Sequence, residues 1–184
     1  MKKFVFLLCF AAMLSSCKKA KDLLDISFSF STTNDFTLPK FTDQVVALPD
    51  SVVSIQTPAI TNTAPDEFKK NHADINKLKS LKIESIVLTI KSPPGQTFSF
   101  MKSIKVYLGS QGIPEKLIAT RNDINLITPP TTTLSLTQEN ADLIDIIKAP
   151  TYYLRVETAL VSTYTQDITI GSTIKFNAVA NPLN

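Results

Sequence analysis

The sequence predicts a mostly-β fold: an antiparallel β-sandwich with two short helices inserted between its strands. Three observations lead there. Runs such as Ile26-Ser27-Phe28-Ser29-Phe30-Ser31 alternate apolar and polar residues with the period of two of a half-buried strand. Prolines and glycines end these runs after short stretches, and the connections between them are short, which favours antiparallel neighbours. Only two stretches, residues 64–79 and 138–148, place apolar side chains at helical spacing. The alternative is a two-layer α+β fold, with a curved lipid-binding form as its variant.

Taken in order, the first strand covers residues 26–31. Thr32-Thr33-Asn34-Asp35 has turn chemistry, so Phe36-Thr37-Leu38 reads as a short second strand closed by Pro39. Val45-Val46-Ala47-Leu48 and residues 51–57 are β-branched runs flanked by prolines, which places them at sheet edges. Thr63 then precedes Ala64-Pro65-Asp66-Glu67, joining a capping hydroxyl, an early proline and first-turn acids. With Phe68, Ile75 and Leu78 near one face, this predicts a helix over 64–79 capped by Thr63.

Residues 81–90 form the strongest β stretch. Leu81 and Ile83 share one parity, whereas Ile86, Leu88 and Ile90 share the other, so a bulge near Ser85 or burial on both faces is expected. Pro93-Pro94-Gly95 ends it, and Phe98-Ser99-Phe100-Met101 leads into an alternating strand through Leu108. The Gly109-Ser110-Gln111-Gly112 turn returns the chain into residues 116–120. Residues 131–136 are strand-like, and Thr137 caps a second helix over 138–148 that buries Leu143, Ile146 and Ile147 before Pro150. Tyr152, Leu154 and Val156 alternate with Tyr153, Arg155 and Glu157. A turn over 163–166 leads to Ile168, Ile170, Ile174, Phe176, Ala178 and Ala180, all of one parity, and the last two runs read as a hairpin.

The first sixteen residues differ from all this. Met1-Lys2-Lys3 is positively charged, residues 4–14 are an unbroken apolar run, and Ser15 and Ser16 are small. That order is the order of a secretory signal peptide, and the run is too short to span a bilayer as a helix. Leu14-Ser15-Ser16-Cys17 resembles the lipobox of bacterial lipoproteins. The resemblance implies diacylglycerol on the Cys17 thiol, cleavage before Cys17 and acylation of the new amino group. Lys18 stands where an Asp would imply inner-membrane retention, so the resemblance implies the outer membrane, with the periplasmic side and the cell surface both open. The domains expected are a signal over 1–16, a lipidated tether over 17–25 and one mostly-β domain over 26–184.

Composition narrows the chemistry. Of nineteen basic residues Lys2 and Lys3 leave with the signal, so the remainder nearly balances sixteen acidic residues. No basic cluster points to nucleic acid. Cys9 leaves too, which removes thiol catalysis and thiolate metal sites from the mature domain once Cys17 is acylated. His72, the one histidine, reads as a helix-surface residue near Asp74. Asp66, Glu67 and Asp74 read as helix-start and surface charge, and Asn122-Asp123-Ile124-Asn125 reads as a turn more than a calcium loop. Tyr107, Tyr153 and Tyr164 are the outward aromatics that a glycan would stack on, whereas Tyr152, Phe98, Phe100 and Met101 belong to the core. No catalytic, cofactor-binding or metal-ligating set is assigned; Cys17 is the one site residue.

The function expected is a lipid-anchored cell-envelope protein with a non-catalytic binding, adhesion or assembly role. Its partners are the membrane, through lipid on Cys17, and an envelope protein or glycan. A hydrolase of envelope or extracellular polymers and a carrier of an apolar ligand such as a lipid are the alternatives. Converging acids would mark the first, and an enclosed apolar cavity the second.

Overall fold

The computed structural model describes residues 25–41 and 52–181. The expected strand over 45–48, the signal stretch and Cys17 lie outside the described residues. The strands are β1 (Ile26–Leu38), β2 (Val52–Gln56), β3 (Ile60–Thr61), β4 (Leu78–Ser92), β5 (Met101–Ser110), β6 (Ile113–Arg121), β7 (Thr133–Ser135), β8 (Thr137–Gln138), β9 (Thr151–Leu160) and β10 (Ile168–Ala180). Two short helices, α1 (Ala64–Lys70) and α2 (Ile144–Lys148), interrupt them. One sheet has the order β1-β10-β4-β7 and the other β2-β9-β5-β6-β8, with β3 also paired to β9. Neighbours are antiparallel throughout, and the two sheets make the sandwich.

β1 is longer than its sequence suggests. No turn forms at residues 32–35; the strand pairs with β10 from Ile26↔Ala180 to Leu38↔Ile168 without a register shift. Thr32 and Asn34 hold the inward parity of Phe28, Phe30, Phe36 and Leu38, and Thr32 is buried beside them. The Asn34 amide donates to the Tyr152 hydroxyl at 3.0 Å, and the Ser172 hydroxyl donates to the Asn34 carbonyl at 3.0 Å. Pairing along the full strand therefore outweighs the local turn preference of Asn and Asp.

The parity switch in β4 is a bulge. Ser85 pairs with Lys175 and Ile83 with Phe176, so Glu84 is the extra residue. The bulge turns Leu81 inward on one side of it and Ile86, Leu88 and Ile90 inward on the other. β2 is an edge strand, as its flanking prolines require.

Both helices are shorter than their periodicity predicts. α1 ends at Lys70; a short 3-10 turn at Ile75–Lys77 follows, and Leu78 already begins β4. Thr63 makes no side-chain cap bond. Instead Asn62 Oδ1 accepts from the Ala64 amide at 2.9 Å, while Asn62 Nδ2 donates to the carbonyls of Ile147 and Ala149 at 2.6 and 2.8 Å. One buried side chain thus starts α1 and ties it to the end of α2. The second helix does not begin after Thr137, because Thr137 and Gln138 pair with β6 as β8. α2 nonetheless buries Ile146 and Ile147, with Leu143 just before it, and stops where Ala149 turns extended ahead of Pro150.

The last two strands do not form a hairpin. β9 lies in one sheet and β10 in the other, so residues 161–167 carry the chain across the sandwich. This path suits two strands whose inward rows face one another across a shared core. Phe176 stacks on Phe30 with ring centroids 5.2 Å apart, and Phe68 of α1 meets Phe28 edge-on at 4.8 Å. Phe98, Phe100, Met101 and Tyr152 are buried in the same continuous cluster.

The Phe176 ring is 1% exposed. Phe176→Ala is expected to cost about 3–5 kcal/mol in denaturant unfolding. Its exposed neighbour Lys175, ion-paired to Glu84 at 2.7 Å, is expected to cost no more than about 0.5 kcal/mol when changed to Ala. Equal losses at the two positions would refute the inward row of β10.

Candidate functional site

The outward face of the larger sheet carries a connected polar cluster around Arg155. Its side chains alternate with the buried Val106, Leu108, Leu154 and Val156, so strand period alone turns them outward. Cross-strand pairing places Gln56, Arg155, Tyr107 and Leu117 in one row, and Ser54, Glu157, Lys105 and Thr120 in the next.

Arg155 is the hub. Its Nε–H donates to both carboxylate oxygens of Glu115 at 3.0 and 2.9 Å. Its Nη1 donates to Glu157 and reaches the Ser54 hydroxyl at 3.4 Å. The guanidinium lies 4.0 Å from the centre of the Tyr107 ring, and the Tyr107 hydroxyl donates to Glu157 at 3.1 Å. Four adjacent strands, β2, β9, β5 and β6, are braced through this one side chain.

The electrostatics follow from the geometry. The hydrogen bonds from Arg155 hold the carboxyls of Glu115 and Glu157 below the usual carboxylate range. Burial, with the nearby Glu157 charge, pushes the Tyr107 hydroxyl up. Arg155 is itself raised, chiefly by its bond to Glu115. Glycoside hydrolysis requires one carboxyl held protonated as an acid. The pair of acids that converges here is held ionised, so it supplies no proton donor. The arrangement presents fixed donors, acceptors and aromatic surface.

Beside the hub, Tyr153 lies directly over Gly109. A β-carbon at Gly109 would stand 2.5 Å from the Tyr153 ring. The absence of a side chain at that position is what lets the ring settle onto the sheet. Tyr107 and Tyr153 therefore face outward, half-buried, as their parity predicts.

The other singled-out residues are not brought together. Tyr164 is buried, packed against Phe100 at 4.9 Å and bridged to Phe41, which corrects its placement as an outward aromatic. Burial pushes its hydroxyl up, with Asp167 adding to the effect. Asp66 and Glu67 pair with Lys69 and Lys70 along α1. Asp74 caps the 3-10 turn after α1 by accepting from the Asn76 amide. Asp123 adopts a left-handed conformation at the head of a short 3-10 turn, Ile124–Leu126, and Ile124 is buried. Among the described residues no three His, Cys, Asp or Glu side chains are grouped to hold a metal ion. An open depression of about 590 Å³ beside α2 brings in a single carboxylate, Asp145, with Lys148 near it.

His72 is exposed and stands just past α1, with φ at +56°. The His72 amide bonds to the Lys69 carbonyl and the Ala73 amide to the Phe68 carbonyl. This is the pattern of a left-handed helix stop, in which His72 occupies the position that glycine usually fills.

No local sequence pattern pairs Glu115 or Glu157 with Arg155. The signal available for two of the three was the polar parity of β9; nothing local marks Glu115, which arrives through the β5–β6 hairpin.

No protein-family model matches the sequence, and no curated protein matches it either. Among solved structures, the chain is similar over 85% of its length to the capsid protein of BFDV, covering 98% of that chain at 10% identity with a TM-score of 0.38. It is similar over 86% of its length to Desmodium yellow mottle tymovirus, covering 91% of that chain at 8% identity with a TM-score of 0.28. The corresponding values for turnip yellow mosaic virus are 85%, 97%, 10% and 0.26. Likenesses this low carry no argument about what the chain does.

Two predictions follow from this geometry. Glu115 and Glu157 have lowered folded-state pKa values, so the stability they contribute is present above the usual carboxylate value of 4.5 and is lost as pH falls through the folded values. Arg155→Met is expected to cost about 1 kcal/mol at neutral pH, because it leaves two part-exposed acids side by side without their cation. It should also turn the profile round, so that the variant gains stability on mild acidification while the wild type does not. Parallel melting-temperature profiles from about pH 3 to 7 would refute the brace. At the helix stop, His72→Gly is expected to stabilise by about 1 kcal/mol, because glycine adopts the left-handed conformation without penalty. Destabilisation in thermal melts would show that the imidazole itself is needed.

Proposed function

We propose that this chain is a lipid-anchored cell-envelope protein with a non-catalytic binding, adhesion or assembly role. The observation that carries the reading is the order of the first seventeen residues, which ends in Leu14-Ser15-Ser16-Cys17. Acylation of Cys17 supplies several chains, enough for firm anchoring where one chain holds only marginally. Lys18 supports the outer membrane as the destination. β1 begins at Ile26, so the intervening tether reaches at most roughly 30 Å when fully extended.

Two features of the domain support a role in binding. The acids that converge around Arg155 are held ionised, which fits recognition better than hydrolysis. The interior is filled by a continuous cluster of aliphatic and aromatic side chains, which fits a packed module better than a carrier. For a glycan partner in particular, the flat Tyr153 ring above Gly109 and the neighbouring fixed polar groups offer stacking and hydrogen bonding together.

Cys17→Ser is expected to move the protein from the membrane fraction to the soluble one while leaving its melting temperature unchanged, since the core is built from residues between Phe28 and Ala180. Mass spectrometry of the wild-type N-terminus should find acylated Cys17. An unmodified Cys17, or cleavage elsewhere, would overturn the anchor.

A further inference from the structure

The four edges of the two sheets are unequal. β2 is five residues long, β7 three and β8 two, whereas β1 is thirteen. Among the described residues β1 pairs with β10 alone. Exposed edges are commonly blunted by shortness, by proline, by lysine or by a bulge. Three edges here are short. β1 has none of these devices: it contains no proline and no lysine, and its pairing with β10 shows no register shift.

Its polar side chains also leave the free edge open. Asp35, the one charge on the strand, reaches along the outer face, over Gly171 of β10, to Lys91 of β4 at 2.6 Å. The Ser29 hydroxyl likewise reaches over β10, along the outer face, to Glu84 of β4 at 2.9 Å. Among the described residues, the alternate backbone amides and carbonyls of these thirteen residues that point away from β10 therefore have no strand paired to them.

We infer that β1 is a pairing edge whose occupant is β1 of a second copy of this chain, antiparallel about a twofold axis at Thr32. Three properties of the strand select a second copy. The register centred on Thr32 uses the whole strand, so both free edges are consumed together and the interface closes. It keeps parity: Phe28 meets Phe36 of the partner subunit on the inner face, and Ser31 meets Thr33 of the partner subunit on the outer face. It is also free of like-charge contact, because Asp35 meets the uncharged Ser29 of the partner subunit. The result is one continuous sheet running through two sandwiches. The inference deepens the assembly reading above but does not depend on the anchor: a soluble Cys17→Ser protein that still dimerises would leave the edge standing.

The test compares the full-length chain with two double variants by sedimentation equilibrium, with thermal melts as the check on folding. Ser31→Glu with Thr33→Glu sets like charges opposite one another across the axis and is expected to weaken dimerisation by roughly tenfold or more. Ser31→Glu with Thr33→Lys sets opposite charges in the same places, and its dimer is expected to survive. Both substitutions fall on exposed positions, and a glutamate at residue 31 faces Lys175 of β10 within its own sheet. Equal behaviour of the two variants would overturn the register. A wild-type chain that stays monomeric, whether or not it takes up an extended peptide from another protein, would overturn the second copy as occupant.

Discussion

The fold depends on one strand being paired on both sides. β10 lies between β1 and β4, and its inward row from Ile168 to Ala180 supplies much of the floor of the core. Because side chains alternate along a strand, a slip of one residue would expose that entire row. The pairing is therefore all or nothing. What lies above the row follows from it: Phe30 stacks on Phe176, Phe68 closes over Phe28, and α1 is held where Phe68 needs it to be. The second sheet then completes the sandwich with its own inward row.

The two outer faces use the same device for different ends. In each sheet an internal strand carries a glycine over which side chains of neighbouring strands lie. Over Gly171 the missing side chain lets Asp35 and Lys91 meet, tying strands two apart. Over Gly109 it lets an aromatic ring lie against the backbone. The Arg155 cluster adds a third tie across β2, β9, β5 and β6. Surfaces held in this way lose little freedom when a ligand settles on them, which is the main condition for binding through many weak contacts.

Period-two patterning made most of the fold legible in the sequence, and the failures have physical causes. The parity change at Ser85 left a bulge or burial on both faces open, and the bulge formed because it turns two misaligned apolar rows inward. Asn34 and Asp35 pointed to a turn that never forms, since propensity reports only local preference and β10 lies more than a hundred residues away. The helix over residues 64–79 failed at His72 for a similar reason. Its apolar spacing continued, but Leu78 was required in β4. The site was less legible. Arg155 and Glu157 stood on a visible polar row, whereas Glu115 reached them through the geometry of a hairpin. Tyr164 was misplaced because a loop residue has no parity from which to read its direction.

The long pairing of β1 with β10 also fixes how the domain meets a pull. A load entering the chain ahead of Ile26 and leaving at the far end of the sandwich runs along the strand axis, so the rungs between these strands share it in shear. The same load applied across the sheet would open them one at a time, as a zip opens. Resistance to rupture therefore depends on the direction of pull, and it is greatest when the strands stand in line with the load.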